Sequence, residues 1–90
     1  MRLDQYLSHS RLIKRRTQAK RACDDDTVSV DGYLAKASKE IKPGQKIRIE
    51  FTHKTLEVEV LEIPTGSVRK DKALGLYRIL KDEKKTVELD

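Results

Sequence analysis

The sequence predicts an α+β domain: two short helices at the start, a small antiparallel sheet in the middle and a further helix near the end. Three observations predict it. Leu3, Tyr6 and Leu7 recur at i, i+3, i+4, the spacing of one helix face. Apolar residues then alternate, at Val28 and Val30, at Ile47, Ile49 and Phe51, and at Leu56, Val58 and Val60, the period of strands covered on one face. Helical spacing returns at Ala73, Leu76, Tyr77 and Leu80. Ninety residues make one small domain, and a chain this short hides only about 60–65% of its unfolded surface, so its core is thin. There is no room for a catalytic domain beside a binding module.

The elements follow in order. A first helix is expected from about Arg2 to Ser8, and Ser8-His9-Ser10 breaks its pattern. Leu12 and Ile13 read as an anchor for the loop that follows. Thr17 is a candidate N-cap for a second helix, whose small apolar stripe is Ala19, Ala22 and Cys23. Asp24-Asp25-Asp26 ends that helix. It reads as a solvated turn with one Asp in the left-handed region, and without EF-hand spacing it does not read as a metal site. Thr27 to Val30 is a strand, Asp31-Gly32 a two-residue hairpin turn, and Tyr33-Leu34 the return. Lys42-Pro43-Gly44 turns the chain into a strand over 45–51, and a further strand runs from Leu56 to about Ile63. Leu74 and Ile79 broaden the last helical stripe, with Gly75 inside it at a cost of about 1 kcal/mol. The charged stretch 81–90 is expected to fray.

Charge is segregated along the chain. Up to Ala22 there are seven Lys or Arg residues against the single acid Asp4, a balance of +6. The other 68 residues hold thirteen bases and fourteen acids. Such segregation calls for a polyanionic partner. Arg15 and Arg16 lead directly into the second helix, where free N–H groups and the helix dipole favour an anion, and guanidinium groups suit bidentate phosphate contacts. Arg2 stands in the same relation to the start of the first helix. Asp4 is expected to orient a nearby arginine; no nucleophile, base or second carboxylate has motif spacing to it.

Other classes find little support. One cysteine, Cys23, excludes an internal disulfide and a Cys-based zinc site and reads as a small buried residue. The start MRLDQYL lacks the apolar run of a signal peptide, and no stretch approaches a membrane span, so a cytoplasmic protein is expected. Aromatic residues are only Tyr6, Tyr33, Phe51 and Tyr77, so stacking of unpaired bases on an aromatic platform finds little support, and recognition of a polyanion should rest on charge and shape. His9 and His53 read as ordinary loop residues.

The order RLDQYL, SRLIKRRTQAKRAC, VSVDG and AKASKEIKPGQKIRI resembles the S-four-type RNA-binding domain, and the resemblance covers about Met1 to Phe51. It implies the alpha-L fold, in which two short helices pack on a small bent antiparallel sheet and their basic surface binds structured RNA. Two positions depart from the family pattern: Asp24-Asp25-Asp26 where a helix-to-strand Gly is usual, and Asp31 where Asn often precedes the hairpin Gly. Both substitutes tolerate turn conformations. The whole chain is similar to the small ribosome-associated members, nearer to the bacterial quality-control type than to the heat-shock type with its long basic extension. This implies a non-catalytic factor without cofactor or metal, a monomer away from membranes, associated with the ribosome. The implied partners are large-subunit rRNA, peptidyl-tRNA and an RqcH-type quality-control factor. The implied task is stabilising P-site tRNA on split, obstructed ribosomes during C-terminal alanine tailing. Arg2 and Arg16 correspond to the family's RNA-contacting arginines, with Arg11, Lys14, Arg15, Thr17, Lys20, Arg21 and Lys36 alongside. On this reading residues 1–63 form the RNA-binding domain and 64–90 a C-terminal helix and charged tail. Three other readings stay open: a heat-shock-type factor recycling large subunits that carry nascent chains, an accessory RNA-binding subunit of an RNA-modifying enzyme, and a protein-interaction module using the C-terminal helix.

Overall fold

The alternating segments form strands because each can hide one face under the helices while hydrogen bonding sideways. A computed structural model describes residues 1–64, 70–73 and 75–84. Two helices come first, α1 (Leu3–His9) and α2 (Arg16–Asp24). They are followed by β1 (Val28–Val30), β2 (Tyr33–Leu34), β3 (Lys46–Glu50), β4 (Lys54–Val60), a single turn α3 (Lys70–Ala73) and β5 (Tyr77–Lys84). One antiparallel sheet has the order β2-β1-β3-β4-β5. Its inner face is built in rows across strands: Val28 opposite Ile49 opposite Leu56, and Val30 opposite Ile47 opposite Val58. All six are buried, and they share one core with Leu3, Tyr6 and Leu7 of α1 and Ala19 and Cys23 of α2. Ile13 is buried and Leu12 half-buried, so the loop between the helices is anchored as its composition predicts. No helix among the described residues is long and apolar enough to cross a membrane.

The turn residues behave as their chemistry requires. Asp31 and Gly32 both have positive φ, 51° and 89°, the conformation of a tight hairpin turn that matches strand twist. Asp26 has φ 60°, so the acidic run supplies the left-handed residue that glycine supplies elsewhere. Thr27 closes the turn by donating its N–H and Oγ1–H to the Ala22 carbonyl, at 3.1 and 2.7 Å.

Three expectations need correction. The C-terminal helix expected over Ala73–Leu80 is not formed among the described residues: residues 77–84 are β5, and the helical structure described there is α3. The reason is a competition for backbone partners. Without β5 the outer edge of β4 would be unpaired, and β5 supplies a partner at seven positions of β4 from Lys54 to Val60. A helix of some eight residues with Gly75 inside is marginal in water, and Tyr77 and Ile79 suit a strand. Ala73 and Leu76 reach the core from the turn that precedes β5. The stretch 81–84, expected to fray, is paired strand; 85–90 and Leu74 lie outside the described residues. Thr17, expected as N-cap, is the second residue of α2. Arg15 is the cap, extended at φ −125°, ψ 145°, because Arg16 enters the helix and thereby reaches Asp4.

Candidate nucleic-acid interface

Asp4 organises the basic surface from beneath. It is 2% exposed, and its carboxylate lies between two arginines. Arg16 Nε donates to Asp4 Oδ2 at 3.2 Å, and Arg2 Nε stands 3.6 Å from Oδ1. The Gln5 N–H also donates to Oδ1, at 2.9 Å. A buried carboxylate is costly unless it is hydrogen-bonded and paired; here the Gln5 amide and the Arg16 guanidinium donate to it, and the Arg2 guanidinium adds its charge. Each arginine is engaged through Nε and is about half exposed along its side chain. Their terminal nitrogens have no protein partner among the described residues. Two guanidinium forks are therefore pinned at the base and open outward, the arrangement that favours phosphate oxygens.

The helix ends do not contribute equally. At α1 the N–H groups of Leu3 and Asp4 donate to the carbonyls of Lys39 and Ala37, at 2.8 and 3.2 Å. The Arg2 N–H donates to Gln5 Oε1 at 3.3 Å. That terminus is already satisfied by protein, contrary to the expectation of free amides there, and Arg2 acts through its side chain alone. At α2 the cap makes no side-chain hydrogen bond. The N–H groups of Arg16, Thr17 and Gln18 have no partner among the described residues. Lys14, Arg15 and Thr17 are exposed beside that open end, whose free amides favour an anion.

The remaining candidates spread from this centre. Arg11 is exposed at φ 63°, where its N–H donates to the Ser8 carbonyl at 3.1 Å and closes α1. Lys20, Arg2 and Lys36 line a groove of about 450 Å³ between α2 and the loop that carries Ala37 and Ser38. Arg21 does not line that groove; it is 86% exposed along its side chain and stands 4.0 Å from Asp25. The structure thus gathers Arg2, Arg16, Lys14, Arg15, Thr17, Lys20 and Lys36 around α2 and leaves Arg11 and Arg21 at the margins. Gln5 is a supporting residue that sequence reasoning missed. Its signal was the spacing of a glutamine three residues after the cap. Beneath the surface, burial pushes the Cys23 thiol up to about 11, aided by the negative charges of Asp4 and Asp24.

The S4 domain matches residues 1–47, just over half of the ninety. The chain belongs to the S4 domain family. The match takes in both helices, β1, β2 and the start of β3, that is, all of the basic surface just described. The S4 chain is 45% identical over 84 residues to the RQC P-site tRNA stabilizing factor of Bacillus subtilis, covering 93% of this chain and 96% of that one. It is 45% identical over 82 residues to the factor of the same name from Streptococcus pneumoniae, covering 91% and 92%. Among solved structures it is similar to Vibrio cholerae Heat Shock Protein 15, a trimeric structure, with a TM-score of 0.81, 28% identity and coverage of 88% of this chain and 80% of that one. It is also similar to the solution structure of the hypothetical protein HP1423, with a TM-score of 0.72, 35% identity and coverage of 98% and 100%.

Proposed function

We propose that this chain is a non-catalytic RNA-binding factor that stabilises P-site tRNA during ribosome-associated quality control. It docks its helical face on large-subunit rRNA and peptidyl-tRNA of split, obstructed ribosomes, as a monomer in the cytoplasm. There it assists an RqcH-type factor in adding C-terminal alanines. The observation that carries the reading is the buried Asp4 that aims Arg2 and Arg16 outward beside the open end of α2. The names of relatives that match nearly end to end support the choice of partner. Phosphate and shape readout dominate, because the A-form major groove is too narrow for side chains to read.

Arg16→Glu places a negative charge beside Asp4 and reverses the surface at its centre. It is expected to abolish association with large subunits carrying peptidyl-tRNA, measured by co-sedimentation, while circular dichroism shows a folded domain. Retained association of a folded variant would sink the assignment. The likeness to Heat Shock Protein 15 favours a second reading, in which the chain recycles large subunits that carry nascent chains. Deleting the protein separates the two: loss of alanine tails on stalled chains supports the first, and tails of normal length support the second.

A further inference from the structure

The groove between α2 and the loop of residues 36–38 has a lining that phosphate binding does not explain. Its cations come from three places, Arg2 before α1, Lys20 on α2 and Lys36 after β2, while Asp24 and Asp26 also line it. Lys20 and Lys36 form no ion pair within 4.0 Å with either carboxylate. Asp24 and Asp26 have no side-chain partner among the described residues. Residues of opposite charge thus line one groove without pairing across it. Carboxylates accept hydrogen bonds and repel phosphate, so a groove for backbone alone would not contain them. Its volume of about 450 Å³ exceeds what a phosphate needs.

We infer that this groove takes a single unpaired nucleotide of the bound RNA, with Arg2, Lys20 and Lys36 on its phosphates and Asp24 and Asp26 on the donor edge of its base. Among the bases, guanine presents two adjacent donors, N1–H and N2–H, that match the two oxygens of one carboxylate. Uracil presents one N–H between two carbonyl oxygens, which a carboxylate repels. The groove therefore selects guanine most strongly and uracil least. This inference rests on the RNA-binding reading above and adds base selectivity to a surface otherwise governed by charge and shape.

The test uses the full chain and four RNA hairpins that differ only in one bulged nucleotide, G, A, C or U, with an unbulged hairpin as reference. Fluorescence anisotropy gives each Kd. The wild-type chain should prefer bulged G over bulged U by roughly fivefold or more, the low end of one bidentate base contact. In D24N/D26N that preference should fall within about twofold, while unbulged RNA binds as well or more tightly because two negative charges are gone. Asn is chosen because it tolerates the left-handed backbone at position 26. Equal binding of all four bulges by the wild-type chain overturns the subsite and leaves the RNA-binding reading standing. A G preference that survives in D24N/D26N removes the two carboxylates from it. No binding to any hairpin at low salt overturns the underlying reading instead. The base preference is measured on the wild-type chain, so the outcome does not depend on a variant that folds.

Discussion

The Asp4 carboxylate is the shared partner of Arg2 and Arg16. Asp4→Asn keeps the shape but removes the charge and replaces one acceptor oxygen by a donor that faces one of the two guanidinium groups. The expected cost is about 1–3 kcal/mol of stability, read from urea denaturation, with RNA affinity lowered roughly as much as when one of the arginines is removed. An unchanged affinity would show that the arginines need no such support. Cys23 gives a second measurement at this scale. Its thiol is pushed up to about 11 from 9.0, so the folded state prefers the neutral form. The associated stability is complete below about pH 9 and is lost as pH rises through 11. Wild type should therefore lose more stability than Cys23→Ala between pH 8 and pH 11, measured by urea midpoints. Single residues were legible where chemistry acts locally. The acidic Asp4 amid bases and the left-handed Asp in the acidic turn could both be read. The positive φ at Arg11 could not, because nothing in an arginine announces it; the end of α1 and the buried Ile13 impose it.

At the scale of elements, helix and strand compete for the same residues near the C-terminus. The stripe Ala73, Leu76, Tyr77, Leu80 satisfies helical spacing, yet Leu80 is 41% exposed and Leu76 is 5% exposed. The register of β5 against β4 shifts between Glu57 and Val58, opposite Lys81 and Ile79, so Leu80 is the extra residue of a bulge. This gives a direct discrimination. Leu80→Lys should change stability by no more than about 0.5 kcal/mol, whereas Leu76→Ala should cost about 2–5 kcal/mol, both from thermal or urea unfolding. A helix with Leu80 in its stripe would make both large. The strands β1, β3 and β4 were legible because their own alternation names the covered face. β5 was not, since its reason for being a strand lies in the unpaired edge of β4, which no local pattern records. The free amides expected at α1 failed for a similar reason: carbonyls from residues 37 and 39 arrive from far along the chain.

Across the whole molecule the two faces differ in electrostatic character. The helical face collects the basic residues. The outer face of the sheet cancels its own charge through Arg48 with Glu50, Arg78 with Glu59 and Lys81 with Glu83. Binding to RNA should weaken as salt rises, with a log–log slope of about −0.7 to −0.9 per phosphate neutralised. Replacing Lys14 and Arg15 by Gln should flatten that slope, and replacing Arg48 and Lys81 by Gln should leave it unchanged. Equal effects from both pairs would place the footprint elsewhere. The helical surface could be foreseen from the charge of the first quarter; the neutrality of the sheet could not, because its ion pairs depend on register. One buried contact carries a further consequence. The Tyr6 hydroxyl donates to the Leu76 carbonyl at 2.7 Å, across seventy positions of chain. During synthesis the first helix emerges long before its last partner exists. Leu76 stands immediately before β5, so this bond ties the first helix to the strand that covers the edge of β4. A nascent chain halted before Leu76 would therefore carry the residues of the interface without the bond that fastens α1 to the lead-in of β5.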